Sequence, residues 1–362
     1  MRGFGVNSAN NTLVLVDGRK LNNPTLEGPA LSSIALKDVE RIEIINGSAG
    51  VLYGDQAVGG VINVITSKSQ AGEVDGWVEA GRGTDDLERY RGRVSYGFDN
   101  GLSFRVSGEE RRENGYRDNN EASYSNYLMT VRLDKIWGNV FLEHQRLEDD
   151  SRLAGALSES AIAVNRRQTV KPNDFSNTDT DILRLGGMFK FSDQVQLLGE
   201  FSDRDSNSEG FFFGALKKDT RVKSFTPRIV GSFATNHGDA VITLGYDIVN
   251  TYYQGANVLG TTDFEQELEA YYGQLIYPVL EDLSFSFGYR ESQVDDKNIV
   301  ASTKNTESAE ALEFGLSYQL NERVRLFARK ADGFRFGNAD ENASTLSTVD
   351  FLKPQTSESL EV

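Results

Sequence analysis

Long stretches of this chain alternate apolar and polar residues with a period of two, and this pattern restricts the fold more than any other feature. In residues 311–320 the apolar positions share one face: Leu312, Phe314, Leu316, Tyr318 and Leu320. Residues 181–191, 241–249 and 283–290 repeat the pattern. Such alternation is typical of strands with one apolar and one polar face. It predicts about thirteen strands and the start of another, many of them longer than the roughly five to six residues common in soluble sheets.

The connections between these predicted strands alternate between short and long. Short turns are expected at residues 99–101, 192–194, 236–239, 281–282 and 321–322. Longer polar loops are expected at residues 114–122, 148–180, 206–220, 254–262, 294–305 and 337–355. Outer-membrane barrels have short hairpins on one side and long loops on the other, so the pattern favours a barrel. A soluble β-sandwich is the alternative, although nothing in that fold makes short and long loops alternate along the chain.

Composition excludes several classes of protein. Only 38% of residues are hydrophobic, and no apolar run reaches the roughly 18 to 20 residues of a spanning helix. There is no Cys and there are two His, so thiolate sites are excluded and enzyme hypotheses have few nucleophiles or bases to use. The net charge of −16 argues against nucleic acid as a partner, because nucleic-acid binding needs a basic surface.

The first 70 residues differ in texture from the rest. They are compact and rich in motifs, which occupy residues 2–5, 12–22, 39–47, 52–54 and 57–66. In these blocks the chain resembles the plug of TonB-dependent outer-membrane receptors, and residues 333–335 with 352–361 resemble a motif that this family carries late in its barrel. The resemblance implies an all-β-dominated fold: an antiparallel transmembrane β-barrel with a partial α+β plug. We expect residues 1–70 to be the C-terminal half of the plug, and residues 71–362 to be the N-terminal part of the barrel.

The resemblance also implies a function. Receptors of this family take up scarce large solutes, ferric siderophores or cobalamin, across the outer membrane of Gram-negative bacteria, drawing energy from the TonB system. Outer-membrane lipid is then a further partner, and no bond is broken, so neither catalysis nor a resident cofactor or metal is expected. A passive porin or an adhesin barrel is the main alternative, and a secreted β-rich enzyme is a third.

By resemblance, solute meets two outward-facing turns of the plug. The first turn supplies Asn22, Asn23, Thr25 and Glu27, and the second supplies Ser48, Gly50 and Tyr53. We expect both turns at the end of the plug that faces the long loops. The alternative is that these are solvated turns, which favour Asn and Ser for their own reasons.

A third group is expected to join the plug to the barrel. Arg41, Glu40 and Glu43 are predicted to face lumen charges such as Arg105, Glu109 or Arg132. The plug core is predicted to contain six apolar residues: Leu13, Leu15, Ile42, Ile44, Val61 and Val64.

Metal sites have little support in the sequence. Residues 117–121 with Asp149 and Asp150 supply oxygen atoms that could hold Ca²⁺, but their spacing matches no EF-hand. His144 and His237 have no partner at metal-ligand spacing.

Three expectations concern the barrel as a whole. About thirteen or fourteen strands are too few for a closed barrel of about 22, so we expect an open antiparallel sheet partly wrapped around the plug, without a ladder between residues 74–80 and 356–362. Pro227 should interrupt the strand predicted at residues 221–234, because it cannot donate to the ladder. The chain alone should not transport, because the energy-coupling segment and the first half of the plug are expected upstream of Arg2.

Overall fold

The structure is a computed structural model that describes residues 5–68, 72–258, 260–343 and 351–362. Residues 2–4 of the first motif lie outside this range. The described part contains two sheets, which we call the plug sheet and the wall sheet. The plug sheet has the order β2-β1-β4-β3, and its strands are β1 (Leu13–Val16), β2 (Arg19–Lys20), β3 (Val39–Asn46) and β4 (Gly60–Thr66). Short 3-10 helices cover Gly5–Asn10, Leu31–Ser33 and Leu36–Asp38, and α1 covers Gly50–Tyr53.

The plug core is smaller than the sequence predicts. Leu13, Leu15 and Val61 are buried together with Ala49 and Ala57. Val64 is also buried, whereas Ile42 and Ile44 are 54% and 60% exposed, so their assignment to the core was wrong. Alternation explains the difference, because Ile45 packs against the core and therefore turns the even-numbered residues of β3 to the opposite face.

The wall sheet is antiparallel and contains fifteen described strands in two runs. The first run is β5 (Val74–Arg82), β6 (Glu88–Gly97), β7 (Leu102–Glu113), β8 (Ala122–Lys135), β9 (Gly138–Arg152), β10 (Phe175–Lys190), β11 (Val195–Phe211) and β12 (Ala215–Phe225). The second run is β13 (Arg228–Thr235), β14 (Gly238–Asn257), β15 (Gly260–Leu280), β16 (Leu283–Asn298), β17 (Thr303–Asn321), β18 (Val324–Arg335) and β19 (Gln355–Glu361). Helix α2 (Glu159–Val164) follows β9, and α3 (Ala339–Ala343) follows β18.

Pro227 interrupts a strand as predicted. Strands β12 and β13 both pair with β11 and β14, so they are two halves of one position in the sheet. The break falls at Thr226 and Pro227, where the chain lacks one backbone donor. The wall therefore has fourteen strand positions in the described residues.

Three of the predicted long loops are mostly strand. Strands β11 and β12 extend until only residues 212–214 separate them, and β14 extends to Asn257 while β15 begins at Gly260. Residues 299–302 likewise remain between β16 and β17. These strand ends are rich in polar residues and do not alternate regularly, so they lack the pattern that marks a strand in sequence. Residues 114–121 and 153–174 remain as longer connections, and residues 336–343 and 351–354 are the described part between β18 and β19.

The wall strands expose their apolar face and bury their polar face. On β17, Leu316 is 52% exposed, whereas Ala311 and Glu313 are buried. On β10, Leu185 is 50% exposed and Arg184 only 2%. This arrangement is the inverse of a water-soluble sheet and fits a wall with lipid outside and a polar lumen inside. It argues against the soluble β-sandwich.

The wall surrounds the plug without closing. Plug residues contact the wall at one edge through Lys37 and Glu79 of β5, and near the other through Ser48 and Ser357 of β19. A small plug can reach both ends of a fourteen-position sheet only if that sheet curves around it. Within the described residues β5 and β19 are the two ends of the strand order and do not pair with each other. The expected open, wrapped sheet is confirmed in this part of the chain.

None of the described helices is both long and apolar enough to cross a membrane.

Candidate functional site

The first predicted turn begins with a residue that is committed to the plug itself. The Asn22 carboxamide Oδ1 accepts a hydrogen bond of 2.7 Å from the Val14 backbone N–H, and its Nδ2 donates to the carbonyls of Ala9 and Thr12 at 3.2 and 2.9 Å. Thr25 is also buried. Asn22 also lines a cavity between the plug and the wall, with its amide held by these three bonds, whereas Thr25 is not among the lining residues.

Two residues of the same turn remain accessible. Asn23 lines this cavity between the plug and the wall, and its Nδ2 donates to the Gly28 carbonyl at 3.0 Å. Glu27 is an exposed residue that forms an ion pair with Lys218 of β12. Lys218 lies close to the turn at residues 212–214. This turn is at the same end of the antiparallel wall as the connections 114–121 and 153–174, so the first plug turn is at the long-loop end, as predicted.

The second predicted turn packs against the wall. The Ser48 hydroxyl lies 3.1 Å from the Ser357 hydroxyl and donates to the Val58 carbonyl at 3.1 Å. A Cβ added to Gly50 would lie 2.6 Å from the Asp332 carbonyl oxygen, so only glycine permits this approach. The side chain of Val51 is buried among wall residues, including Ala311 and Phe334. Ser48 and Gly50 therefore pack the plug against the wall, and Tyr53 is the residue of this predicted set that lines the cavity.

Tyr53 faces the same cavity as Asn23. Its ring packs beside the plug core, and burial raises the pKa of its phenol. The phenol therefore stays protonated and can donate or accept a hydrogen bond at neutral pH.

The plug–wall ion pairs differ from those predicted. Arg41 pairs with Glu40 at 2.9 Å and with Glu43 at 2.8 Å, both on its own strand, and all three residues are exposed. Residues two apart share one face of a strand, so Arg41 and Glu43 satisfy each other locally.

Other residues of the plug make the ionic contacts with the wall. Asp38 pairs with Arg93 of β6 at 3.0 Å, and Lys37 with Glu79 of β5. The pair of Glu27 and Lys218 is the third such contact. No charge pattern in the sequence distinguishes these residues from other charged residues of the plug and the wall.

A segment after β18 joins the plug to the wall, and no prediction assigned it that role. The Phe336 N–H donates to Asp55 at 3.0 Å, and the Gln56 N–H donates to the Phe334 carbonyl at 3.1 Å. The Ala339 N–H donates to the Pro24 carbonyl at 2.9 Å. The late motif at residues 333–335 marks this segment in the sequence, but the spacing of the motif does not indicate that the segment contacts the plug.

A cavity of about 820 Å³ lies between the plug and the inner face of the wall. Asn23 and Tyr53 line it from the plug, and residues from β7 to β16 line it from the wall. Its size falls within the roughly 300 to 1,000 Å³ of typical ligand pockets. Arg184, Arg204 and Arg290 are among its cationic residues.

The outer loops are tied to each other. The Arg117 guanidinium donates to the carbonyls of Gly155, Ala154 and Gln168 in loop 153–174. The Asn119 amide donates to three further carbonyls, those of Leu153, Lys171 and Asp174. The residues considered for Ca²⁺ thus include two that order this loop. Among the described residues, no group of three or more His, Asp or Glu is arranged to hold a metal.

Together, the lipid-facing wall, the enclosed plug and the cavity between them define an outer-membrane receptor with a plugged lumen. The comparisons name the family. Residues 1–61 match the TonB-dependent Receptor Plug Domain, and residues 43–362 match the TonB dependent receptor-like, beta-barrel domain. The chain belongs to the TonB-dependent receptors, which are outer-membrane proteins of Gram-negative bacteria and act as receptors and transporters.

Three similar proteins illustrate the relationship. The chain is 26% identical over 374 aligned positions to the vitamin B12 transporter BtuB of Vibrio vulnificus, covering 98% of this chain and 56% of the relative. It is 34% identical over 196 positions to the iron-regulated outer membrane virulence protein of Vibrio cholerae, covering 51% and 29%. The fold matches the ferric citrate transporter FecA with a TM-score of 0.81 at 16% identity, covering 98% of this chain and 58% of that one. The chain thus spans little more than half the length of the first relative.

Proposed function

We propose that the receptor to which this chain belongs takes up a scarce, large solute across the outer membrane by a process that the TonB system energises. The solute is a ferric siderophore or a cobalamin. We further propose that the plug unit covers residues 1–70 and the wall unit residues 71–362. Family membership supports the mechanism, and the similar proteins, which transport vitamin B12 or ferric citrate, support these solute classes.

The observation that carries the proposal is the cavity between the plug and the wall. Its volume of about 820 Å³ suits a solute too large for simple diffusion through a narrow pore. Asn23 contributes an amide and Tyr53 a protonated phenol to its lining, and both can orient a polar chelate. Glu27 is the third accessible residue among the predicted solute contacts, and it lies at the long-loop end, where solute arrives from outside.

A passive porin or adhesin barrel fits the structure less well. A porin needs an open aqueous lumen, whereas here the plug is docked through Val51, Ser48 and Gly50 against four successive wall strands, β15 to β18. A plug fixed in this way obstructs free passage. Import then requires the plug to move or rearrange, which is a step that consumes energy.

Binding of solute to the purified chain in detergent tests the proposal. Isothermal titration with ferric citrate and with cyanocobalamin should give saturable binding of one of them, and Tyr53→Ala should weaken it. Tyr277→Ala is the matched control, because Tyr277 is an exposed tyrosine of the wall. Equal effects of the two substitutions, or no binding of either solute, would refute the proposed site.

A further inference from the structure

The cavity has the opposite charge balance to the chain as a whole. The chain carries a net charge of −16. The cavity is lined by ten basic side chains: Arg19, Lys20, Arg41, Lys68, Arg105, Arg132, Arg184, Arg204, Arg228 and Arg290. It is lined by five acidic ones: Asp17, Asp55, Glu143, Glu200 and Asp247. Basic residues are therefore concentrated on this one internal surface.

Arg19 of the plug is the least satisfied of these cations. It is only 8% exposed, and its Nε and Nη1 atoms are buried without a hydrogen-bond partner. A buried cationic donor without a partner is unfavourable, because it has lost water and gained nothing in exchange. Such a group in a cavity lining is therefore well suited to bind an anion.

The wall opposite Arg19 does not supply enough negative charge to neutralise it. Arg184 already binds both nearby carboxylates, with 2.7 Å to Glu143 and 2.9 Å to Glu200. Arg204 donates to the backbone carbonyls of Leu21 and Asn22, at 3.1 and 3.0 Å, so no carboxylate balances it. Three arginines thus share two carboxylates, and the cluster carries one net positive charge.

The titration of Arg19 is consistent with this imbalance. Burial, followed by the positive charges of Arg184 and Arg204, lowers the pKa of Arg19 to about 9. An anion beside the guanidinium would restore its usual basicity.

We propose that the cavity beside Arg19 binds an oxyanion, a carboxylate or phosphate group, and that the solute of this receptor carries net negative charge. Within the proposed function, on which this inference rests, an anionic ferric chelate is then preferred to a solute without net charge. A guanidinium offers several N–H donors in one plane and binds such groups by charge-assisted hydrogen bonds.

Isothermal titration of the purified 362-residue chain, with three probes of different charge, tests the inference. Ferric citrate supplies an anionic chelate, free citrate supplies the oxyanion without iron, and cyanocobalamin supplies a large solute without net charge. We expect ferric citrate to bind more tightly than cyanocobalamin, and its affinity to fall as salt rises from about 0.05 to about 0.5 M, because added ions screen the cluster. Free citrate that binds as well as ferric citrate identifies the oxyanion as the recognised group. Weaker free citrate shows that the chelate contributes further contacts, and both results support the site.

Arg19→Gln is the decisive substitution. It should weaken ferric citrate binding by about tenfold or more, the loss expected for a charge-assisted hydrogen bond. Arg19→Lys, which keeps the charge but not the planar donors, should give an intermediate loss. Arg112→Gln is the matched control, since its side chain is 75% exposed and pairs with Glu110 away from the cavity. We expect its effect to stay within about twofold.

Folding and function are separated by the melting temperature. Arg19→Gln removes an unpaired buried charge, so the ligand-free variant should melt at the same temperature as the parent or higher. Binding of cyanocobalamin in preference to ferric citrate, unchanged in Arg19→Gln, would overturn the inference and leave the proposed function standing. Absence of binding by all three probes would overturn both.

Discussion

The Arg329 guanidinium of β18 donates a hydrogen bond of 2.8 Å to the backbone carbonyl of Ser48 in the plug, and the same nitrogen donates to Glu313 at 2.9 Å. Other wall arginines bind plug carbonyls in the same way. Arg204 binds those of Leu21 and Asn22, and Arg105 binds that of Ser67 at 2.6 Å. The wall therefore holds the plug largely through its backbone.

Replacement of Arg329 tests this mode of docking. Arg329→Met leaves the Ser48 carbonyl without its donor and the buried Glu313 with only the Gln274 amide at 3.3 Å, which should destabilise plug docking by about 1 to 3 kcal/mol. Hydrogen exchange in the peptide that covers residues 48–58 should become faster. Arg325→Met on the same strand is the control, because Arg325 is exposed. If both variants exchange at the parent's rate, the contact does not hold the plug.

A second prediction concerns the order of the outer loops. Arg117→Ala removes the hydrogen bonds to three carbonyls of loop 153–174, so this loop should become more mobile. Trypsin should then cleave faster at Arg166 and Arg167, which lie within it. Arg112→Ala is the control, because it removes an arginine that lies outside the contact between Arg117 and loop 153–174. Cleavage that is no faster in Arg117→Ala would show that the loop is ordered by other means.

Two kinds of sequence signal differ in how well they predict this structure. Alternation in residues 181–191 and 311–320 predicted strands and their lipid-facing side, because lipid outside and polar lumen inside impose opposite demands on successive residues. The same signal failed at residues 251–257 of β14 and 260–266 of β15, which are rich in polar residues and do not alternate regularly.

The candidate site was harder to predict because docking to backbone leaves little trace in side-chain chemistry. Arg41 and Glu43 looked like a plug–wall pair, yet they satisfy each other on β3. Ser48 and Gly50 looked like solute contacts, yet their small size serves close packing against Asp332 and Ser357. A sequence motif identifies the segment, but it does not indicate whether the segment contacts a ligand or the wall sheet.

Gly54 supplies a third prediction through a matched pair of glycines. Gly54 and Gly18 both have positive φ, +70° and +86°, so alanine introduces backbone strain at each. Only at Gly54 would the added Cβ meet the Arg290 guanidinium, at 2.7 Å, and disturb its 2.6 Å ion pair with Asp247. Gly54→Ala should therefore lower the melting temperature more than Gly18→Ala. Equal losses would indicate that backbone strain alone decides both.

The fourth prediction is a dependence on pH at α3. Asp340 accepts hydrogen bonds from the Leu26 N–H at 2.9 and 3.2 Å, and burial raises the pKa of its carboxyl despite them. A raised pKa means that the folded state holds the proton more tightly than the unfolded state. The stability that this group contributes is then present below the unfolded value of about 4 and is lost as the pH rises through the folded value.

Asp340→Asn keeps an acceptor for Leu26 and removes the titration. Its urea midpoint relative to the parent should rise between about pH 4 and about pH 7, while the exposed Asp193→Asn shows no such trend. A variant that is less stable than the parent at pH 7, with a gap that closes in acid, would show that the ionised carboxylate is the preferred form.

Cross-linking between the first plug turn and the wall tests the central claim most directly, which is that the plug lies inside the wall with this turn at the long-loop end. The chain has no cysteine, so an introduced pair reports only on itself. Glu27 and Lys218 form an ion pair, and the double variant Glu27→Cys with Lys218→Cys should form a disulfide in the outer membrane on mild oxidation. Lys190 ends β10 beside the short turn at residues 192–194, so Glu27→Cys with Lys190→Cys should remain reduced. A disulfide to position 190, and none to position 218, would contradict the orientation on which the site depends.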